Sequence, residues 1–334
     1  MLNRVQHDGV LQSEPVLKVF CFCKRHLSKI YFIIQKGVQP LKVIVPASTS
    51  NLGPGFDTLG LAVNKYMTIE SSPSESFSMV IKGEGSADVP RDETNLVAVG
   101  MKAILKDLPP VKLSVKNDIP ACGGFGASGA AIIGGLLLGS RLAGKKLRTE
   151  EIYNLAVRIE GHPDNVSAAL FGGLVVNARG DNETYSHIRI PVNDGLKLVT
   201  ILPDTKIETH AARKLLPDSV SLSEAVSNVQ HSSLLVAAFG SGNYGMIKEA
   251  VRDELHEKYR KTLIPHFDRF SEAALKSGAL AFTVSGAGSS CVAFCIRGHK
   301  LVQDAFEKLI RKLKLGWRTE TLLPVNQGAE VLAK

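Results

Sequence analysis

The sequence predicts an α+β fold built as two domains, and three observations predict it. Hairpin-like strand pairs are mixed with helices and do not follow a strict βαβα alternation, which argues for two α+β sandwiches. A length of 334 residues exceeds what one hydrophobic core usually organises. An apolar content of 44% with 22% charged residues is ordinary for a globular chain. The expected boundaries are an extension over 1–40 outside the fold, a first domain over 41–195 and a second over 196–334. The extension differs in character from the text after it and reads as translated sequence upstream of the true start. It lacks the basic start, apolar run and small-residue cleavage site of a signal peptide.

The elements follow in order. Leu41–Pro46 is a short strand, and Ala47–Asp57 (ASTSNLGPGFD) is rich in turn formers and reads as a loop. Asn64–Ser71 and Phe77–Gly83 read as strands, and Leu96–Leu108 as a helix. In Val111–Asn117, Val111, Leu113 and Val115 alternate with Lys112, Ser114 and Lys116, the period of a half-exposed strand. A glycine-rich loop and a helix to about Leu142 come next. Thr149 caps a further helix, with Glu150 and Glu151 in its first turn and Leu155, Ala156 and Ile159 on one face. Leu196–Leu202 opens the second domain with a strand. Helices follow at Ser223–Phe239, Tyr244–Asp253 and Phe267–Lys276. The strands Leu280–Val284 and Cys291–Ile296 flank Ser285–Ser290 (SGAGSS), Lys300–Lys314 is helical, and a last strand lies near Ala329–Leu332.

Composition excludes several classes. Half of the net charge of +8 falls in residues 1–40, where Arg4, Lys18, Lys24, Arg25, Lys29 and Lys36 face only Asp8 and Glu14. The remainder suits an enzyme drawing in anionic ligands better than a nucleic-acid binder. Five cysteines at irregular spacing (Cys21, Cys23, Cys122, Cys291, Cys295) form neither a disulfide framework nor a paired zinc motif, and Cys21 and Cys23 beside His26 find no second ligand pair. A reducing cytoplasm is the compartment they fit. No apolar run reaches the roughly 20 residues that a membrane span needs.

The most telling stretch is Ile119–Leu138, IPACGGFGASGAAIIGGLLL. Glycines let backbone N–H groups approach a ligand, and the helix N-terminus adds unpaired donors and a positive dipole end. This is a cradle for phosphate. Gly124, Gly126 and Gly129 fit G-x-G-x-x-G, but the strand before them alternates where a dinucleotide fold needs a buried apolar run. No Gly-Lys-Ser/Thr follows, so the Walker pattern is absent as well.

Four polar clusters accompany the loop: Ser48–Asn51 with Gly53, Gly55 and Asp57; Glu160–Asn165 (EGHPDN); Thr209–Arg213 (THAAR); and Ser285–Ser290. Each alone is a plain turn or helix end. Together they pair phosphate cradles with carboxylates and arginines, the parts of a phosphotransferase using a Mg-nucleotide.

Leu41–Asn64 (LKVIVPASTSNLGPGFDTLGLAVN), the glycine loop, EGHPDN and SGAG stand in the order seen in the GHMP small-molecule kinases. Within that superfamily the chain resembles the homoserine kinase family from Leu41 to its end, SNLGPGFD and GHPDN being the specific parts. The resemblance implies a ribosomal-protein-like N-terminal ATP-binding domain joined to a ferredoxin-like C-terminal domain, with the active site between them. It implies ATP and Mg²⁺, and phosphorylation of the L-homoserine hydroxyl in threonine biosynthesis in the cytoplasm, without nucleic-acid or membrane partners and with room for a homodimer. It assigns ATP binding to Asn95 and to the loop Pro120, Ala121, Cys122, Gly123, Gly124, Phe125, Gly126, Ala127, Ser128, Gly129 and Ala130. Ser128 and Glu160 are implied as metal ligands. Asn51, Asp57, Thr209, Arg213 and Arg260 are implied at the substrate, and His162, Asp164 and Asn165 beside the reacting hydroxyl.

Chemistry agrees with this allocation. Asp57 can neutralise an ammonium, Arg213 and Arg260 can fork onto a carboxylate, and Asn51 can orient a hydroxyl. Asp164 is the candidate base or positioner. The loop departs from the usual P-x-G-x-G-L-G-S-S-A-A at Cys122, Phe125, Ala127 and Gly129. Cys122 puts a side chain where phosphate would approach, which raises weakened ATP affinity or redox sensitivity as an expectation. The rival readings are a GHMP kinase for another small alcohol, a nicotinamide-dependent oxidoreductase and a non-catalytic binding module on the same fold.

Overall fold

A computed structural model describes residues 40–121, 123–205 and 207–333. The expected extension (Pro40 apart), Cys21, Cys23, His26 and the Cys122 position therefore lie outside the described residues. Two sheets organise the rest. The first holds β1 (Leu41–Asn51), β2 (Gly55–Pro73), β3 (Ser78–Gly83), β4 (Val111–Asn117), β5 (Leu174–Arg179) and β6 (Tyr185–Ile190). The long β2 pairs antiparallel with β1, with β4 through its second half and with β5 through its first half. The second sheet has the order β10-β7-β9-β8, all antiparallel, from β7 (Lys197–Leu202), β8 (Ala281–Val284), β9 (Cys291–Cys295) and β10 (Arg318–Leu322). The chain then returns, and β11 (Glu330–Ala333) pairs antiparallel with β1.

Helices cover the first sheet: α1 (Leu96–Leu105), α2 (Ala127–Leu142), α3 (Thr149–Glu160) and α4 (Asp164–Phe171). The small residues of α2 have a packing cause. A Cβ on Gly134 would lie 2.3 Å from Ile69 of the sheet, and one on Gly135 would lie 2.1 Å from the Val97 carbonyl of α1. The helix is therefore pressed between sheet and helix, and nearly all of its surface is buried. Short pieces α5 (Thr209–Arg213), α7 (Ile247–Ala250) and α8 (Glu257–Arg260) flank the long α6 (Leu222–Ser241), while α9 (Phe267–Lys276) and α10 (His299–Leu313) cover the second sheet.

Several expectations are corrected. Ala47–Asn51 is strand, not loop: β1 continues past a bulge at Pro46/Ala47, and Ser48, Thr49 and Ser50 are buried. Their hydroxyls have polar partners across the molecule, so residues that usually favour turns are satisfied inside a strand. The entry of α3 is capped by the Glu151 carboxylate, which accepts the Arg148 N–H at 2.8 Å, and Thr149 is simply its first residue. The helix expected over Tyr244–Asp253 stops at Ala250, and the Asp253 carboxylate then accepts the His256 and Glu257 N–H groups and starts α8. β5, β6 and β10 were not anticipated. Residues 196–334 are not one separate unit, because β11 joins the first sheet and Leu235, Phe239, Tyr244 and Ile247 enter the first core.

Candidate functional site

A cavity of about 470 Å³ opens where the β1–β2 turn, the glycine loop, the α3–α4 junction and the Ser285–Gly288 loop meet. It is lined by Asn51, Asp57, Asn95, Glu160, His162, Asp164, Asn165, Thr209, Arg213 and Arg260, and by the loop residues Pro120, Ala121 and Gly123–Ser128. Fold topology thus brings together residues that the sequence scatters over more than two hundred positions. Gly129 and Ala130 do not reach the cavity; both are buried in the first turn of α2.

The glycine loop takes its shape from two demands. Gly123, Gly124 and Gly126 have φ of 98°, 88° and 66°. The loop also interlocks with the second glycine loop: Ser285 Oγ donates to the Gly124 carbonyl at 2.6 Å, and a Cβ on Gly124 would lie 2.3 Å from the Ser285 carbonyl. Behind it α2 begins at Gly126 with no side-chain cap, which leaves its first N–H groups facing the cavity for an anion.

Ser128, in that first turn, donates its hydroxyl to Glu160 Oε1 at 2.5 Å. Glu160 ends α3, and its side chain is only 8% exposed. Burial raises its pKa against the opposing pull of the Ser128 hydroxyl and His162. A buried carboxylate whose nearest cationic group is His162 Nε2 at 4.0 Å is suited to a cation. Among the described residues no three His, Cys, Asp or Glu side chains converge on one metal position. The donor set is a hydroxyl and one carboxylate, which fits Mg²⁺ arriving with phosphate oxygens.

The Gly161–Pro163 turn swings His162 back onto Asp164, Nδ1 to Oδ1 at 2.7 Å. Asp164 starts α4, and its Oδ1 also accepts the Asn165 N–H at 2.7 Å. Burial pushes the Asp164 pKa up, but the His162 bond and the Asn165 N–H outweigh it and hold the carboxyl below its ordinary value. For His162, burial is outweighed by Asp164 and Glu160, and the net direction is up. Each group thus favours the charged form of the other. Asn165 ties the group to β1, accepting from Ser48 Oγ at 2.8 Å and donating to Ser50 Oγ at 3.1 Å.

The β1–β2 turn holds three non-glycine residues of positive φ, Asn51 (69°), Leu52 (52°) and Asp57 (51°). Asn51 is spent on the turn: its Oδ1 accepts the Asp57 N–H at 3.0 Å, and its Nδ2 donates to the Gly286 carbonyl at 2.9 Å. Asp57 faces Arg213 of α5, whose Nη2 donates to Oδ1 at 2.6 Å. Arg260 of α8 is 2% exposed, and its Nη1 donates to the Gly286 carbonyl at 3.0 Å. Both guanidiniums lie over the Phe56 ring, at 5.3 Å for Arg213 and 4.9 Å for Arg260. Thr209 is exposed at the rim. Asn95 caps α1, accepting from Val97 N and donating to the Pro90 carbonyl, so its amide is largely committed to the fold.

Ser48, Thr49 and Ser285 stand in two of the polar clusters without a role of their own, and Phe56 and His256 were not singled out. Phe56 stands inside SNLGPGFD and was legible there as an aromatic beside a charged turn. His256 carried no local signal.

Comparisons place this geometry among known proteins. The GHMP kinases N terminal domain matches residues 95–173, and the GHMP kinases C terminal domain matches residues 235–315. A homoserine kinase of Caldanaerobacter subterraneus is 39% identical over 298 residues, covering 87% of this chain and 95% of the relative. One of Moorella thermoacetica is 37% identical over 294 residues, covering 87% and 99%. The crystal structure of homoserine kinase from Cytophaga hutchinsonii superposes with a TM-score of 0.78 at 26% identity, over 88% of this chain and 98% of that one. A mevalonate kinase structure at 13% identity and a TM-score of 0.61, over 86% and 99%, shares the fold alone. The chain belongs to the homoserine kinase family of the GHMP kinases.

Proposed function

We propose that this chain transfers the γ-phosphoryl group of ATP to the side-chain hydroxyl of L-homoserine, giving O-phospho-L-homoserine and ADP, a step toward threonine. The observation that carries the substrate is the opposition of one carboxylate, Asp57, and two guanidiniums, Arg213 and Arg260, across one end of the cavity. They match the ammonium and carboxylate of an amino acid, whereas a mevalonate-type acid has no ammonium for Asp57 to meet. Arg213 exchanges its bond to Asp57 for the substrate carboxylate, and Arg260 donates from its Nε, which has no partner among the described residues.

The phosphates of ATP rest on the glycine loop and the first turn of α2. Ser128 and Glu160 would hold Mg²⁺, which when bound neutralises charge on the β- and γ-phosphate oxygens. The substrate oxygen forms its bond to the γ-phosphorus as the bond to the bridging oxygen of ADP breaks, and the hydroxyl proton passes late to an oxygen of the transferred phosphoryl group and from there to water. Asp164 positions rather than abstracts: its carboxyl is held low and already accepts from His162 and Asn165. His162, when protonated, adds positive charge near the transferring group.

The test is ADP release with homoserine, threonine, serine, mevalonate and shikimate as acceptors. Fast turnover on homoserine alone is expected; turnover no faster than the no-acceptor blank overturns the reading.

A further inference from the structure

Phe56 does more than fill the turn. His256 stacks on its ring, with centres 5.1 Å apart and planes inclined by 27°. Arg260 and Arg213 approach the same ring, at 4.9 and 5.3 Å from its centre. Two guanidiniums on one ring repel each other, and after burial it is Arg213 that most disfavours the charge on Arg260. Arg213 is answered by Asp57. Arg260 is nearly inaccessible, holds one carbonyl, and keeps a buried Nε without a partner among the described residues. An aromatic face in contact attracts both cations without consuming their N–H donors, beside the longer-range pull of Asp164 on each.

The ring is fixed from behind. His256 is 0% exposed, and its Nε2 donates to the Gly53 carbonyl at 2.9 Å. That bond sets the tautomer and ties the turn carrying Phe56 and Asp57 to the segment after Val251. A Cβ on Gly53 would lie 2.8 Å from Val251 Cγ1, so turn and segment are in tight contact. Asp253 Oδ2 accepts the N–H groups of His256 and Glu257 at 2.7 and 2.6 Å and so starts α8, which bears Arg260. The support of the ring and one of its two cations thus come from a single turn of chain.

We propose that Phe56, seated on His256, is a positioning platform that holds Arg213 and Arg260 side by side before substrate arrives, so that together they clamp the carboxylate of an amino-acid alcohol. This rests on the homoserine reading above. Neither residue touches the reacting atoms, so their loss should act on substrate capture and not on ATP.

The test is calorimetric titration of the full-length protein with homoserine and, separately, with ATP, alongside steady-state kinetics and thermal melts. Phe56→Leu keeps an apolar side chain and removes the π face. It is expected to weaken homoserine binding and raise its KM about tenfold, with ATP affinity within about twofold. Phe56→Tyr, which restores the face, is expected to recover most of that loss. His256→Gln keeps a donor for the Gly53 carbonyl but loses the stacking ring, and should raise the homoserine KM at unchanged ATP KM; it carries the test if Phe56→Leu does not fold. With 3-aminopropan-1-ol, which lacks the carboxylate, Phe56→Leu and the parent should perform alike. A Phe56→Leu protein that binds homoserine as tightly as the parent, or loses ATP and homoserine affinity equally, overturns the platform. A parent protein blind to homoserine overturns the substrate reading instead, and an undiminished Phe56 dependence on the amino alcohol overturns the carboxylate clamp alone.

Discussion

Gly124→Ala separates two reasons for a glycine in a phosphate loop: room for the ligand and room for a neighbouring loop. The added Cβ would sit 2.3 Å from the Ser285 carbonyl oxygen and 3.2 Å from Ser285 Cβ, with φ at +88°. Contact at an ordinary distance requires the loops to part by about 1 Å. Parting them loosens the 2.6 Å bond from Ser285 Oγ to the Gly124 carbonyl. A left-handed alanine costs about 1–2 kcal/mol, and one weakened hydrogen bond adds about 1 kcal/mol, so the variant should lose about 2–3 kcal/mol of stability. A displacement of about 1 Å at the phosphate cradle should cost about a hundredfold in kcat/KM. Gly278→Ala is the control, since Gly278 has φ of +95° and nothing within 4 Å of a Cβ; it should show the strain alone, with activity intact. Urea unfolding and ADP-release kinetics on both variants read the difference. Equal stability losses with unchanged kcat/KM in Gly124→Ala would refute the interlocking of the two loops.

Three further outcomes are expected. Arg213→Ala should lower kcat/KM for homoserine about a hundredfold while the KM for ATP stays within about twofold. The Asp57 pair it breaks is about one-third exposed, so denaturant titration should find a stability change within about 1 kcal/mol. Glu160→Gln should raise the Mg²⁺ concentration for half-maximal activity by tenfold or more, read from a Mg²⁺ titration at saturating ATP; an unchanged curve removes Glu160 from the metal site. Burial raises the Glu257 pKa from 4.5 to about 7. The folded state then keeps a proton that the unfolded chain releases, so this residue's contribution is full below about pH 4.5 and is lost as pH rises to about 7. Glu257→Gln should therefore gain about 2–3 kcal/mol over the parent between about pH 5 and pH 8 in urea unfolding, and equal slopes would contradict the assignment.

What the sequence made legible follows from where the signals sit. Strand Val111–Asn117 and helix Phe267–Lys276 were read to the residue because their periodicity is local. The site motifs were legible for the same reason: GHPDN is one helix junction and SNLGPGFD one turn. The run Ala47–Asn51 was misread because its polar residues obey turn preferences locally, and only the burial of Ser48 and Thr49 against Asn165 and Ser285 makes them strand residues. The Phe56–His256 stack lies beyond any local pattern, joining residues two hundred positions apart. Asn51 and Asn95 were read for chemistry, and their amides turn out to hold a turn and a helix start.

The pairing of β11 with β1 has a consequence for synthesis and folding. Leu41 lies opposite Ala333 and Ile44 opposite Glu330, so residues 330–333 cover the edge of β1 that faces away from β2. Among the described strands this is the pairing of greatest sequence separation, and its loop-closure entropy must be met before its contacts form. Synthesis order makes it the strand pairing that waits longest, and until it forms β1 lacks that neighbour.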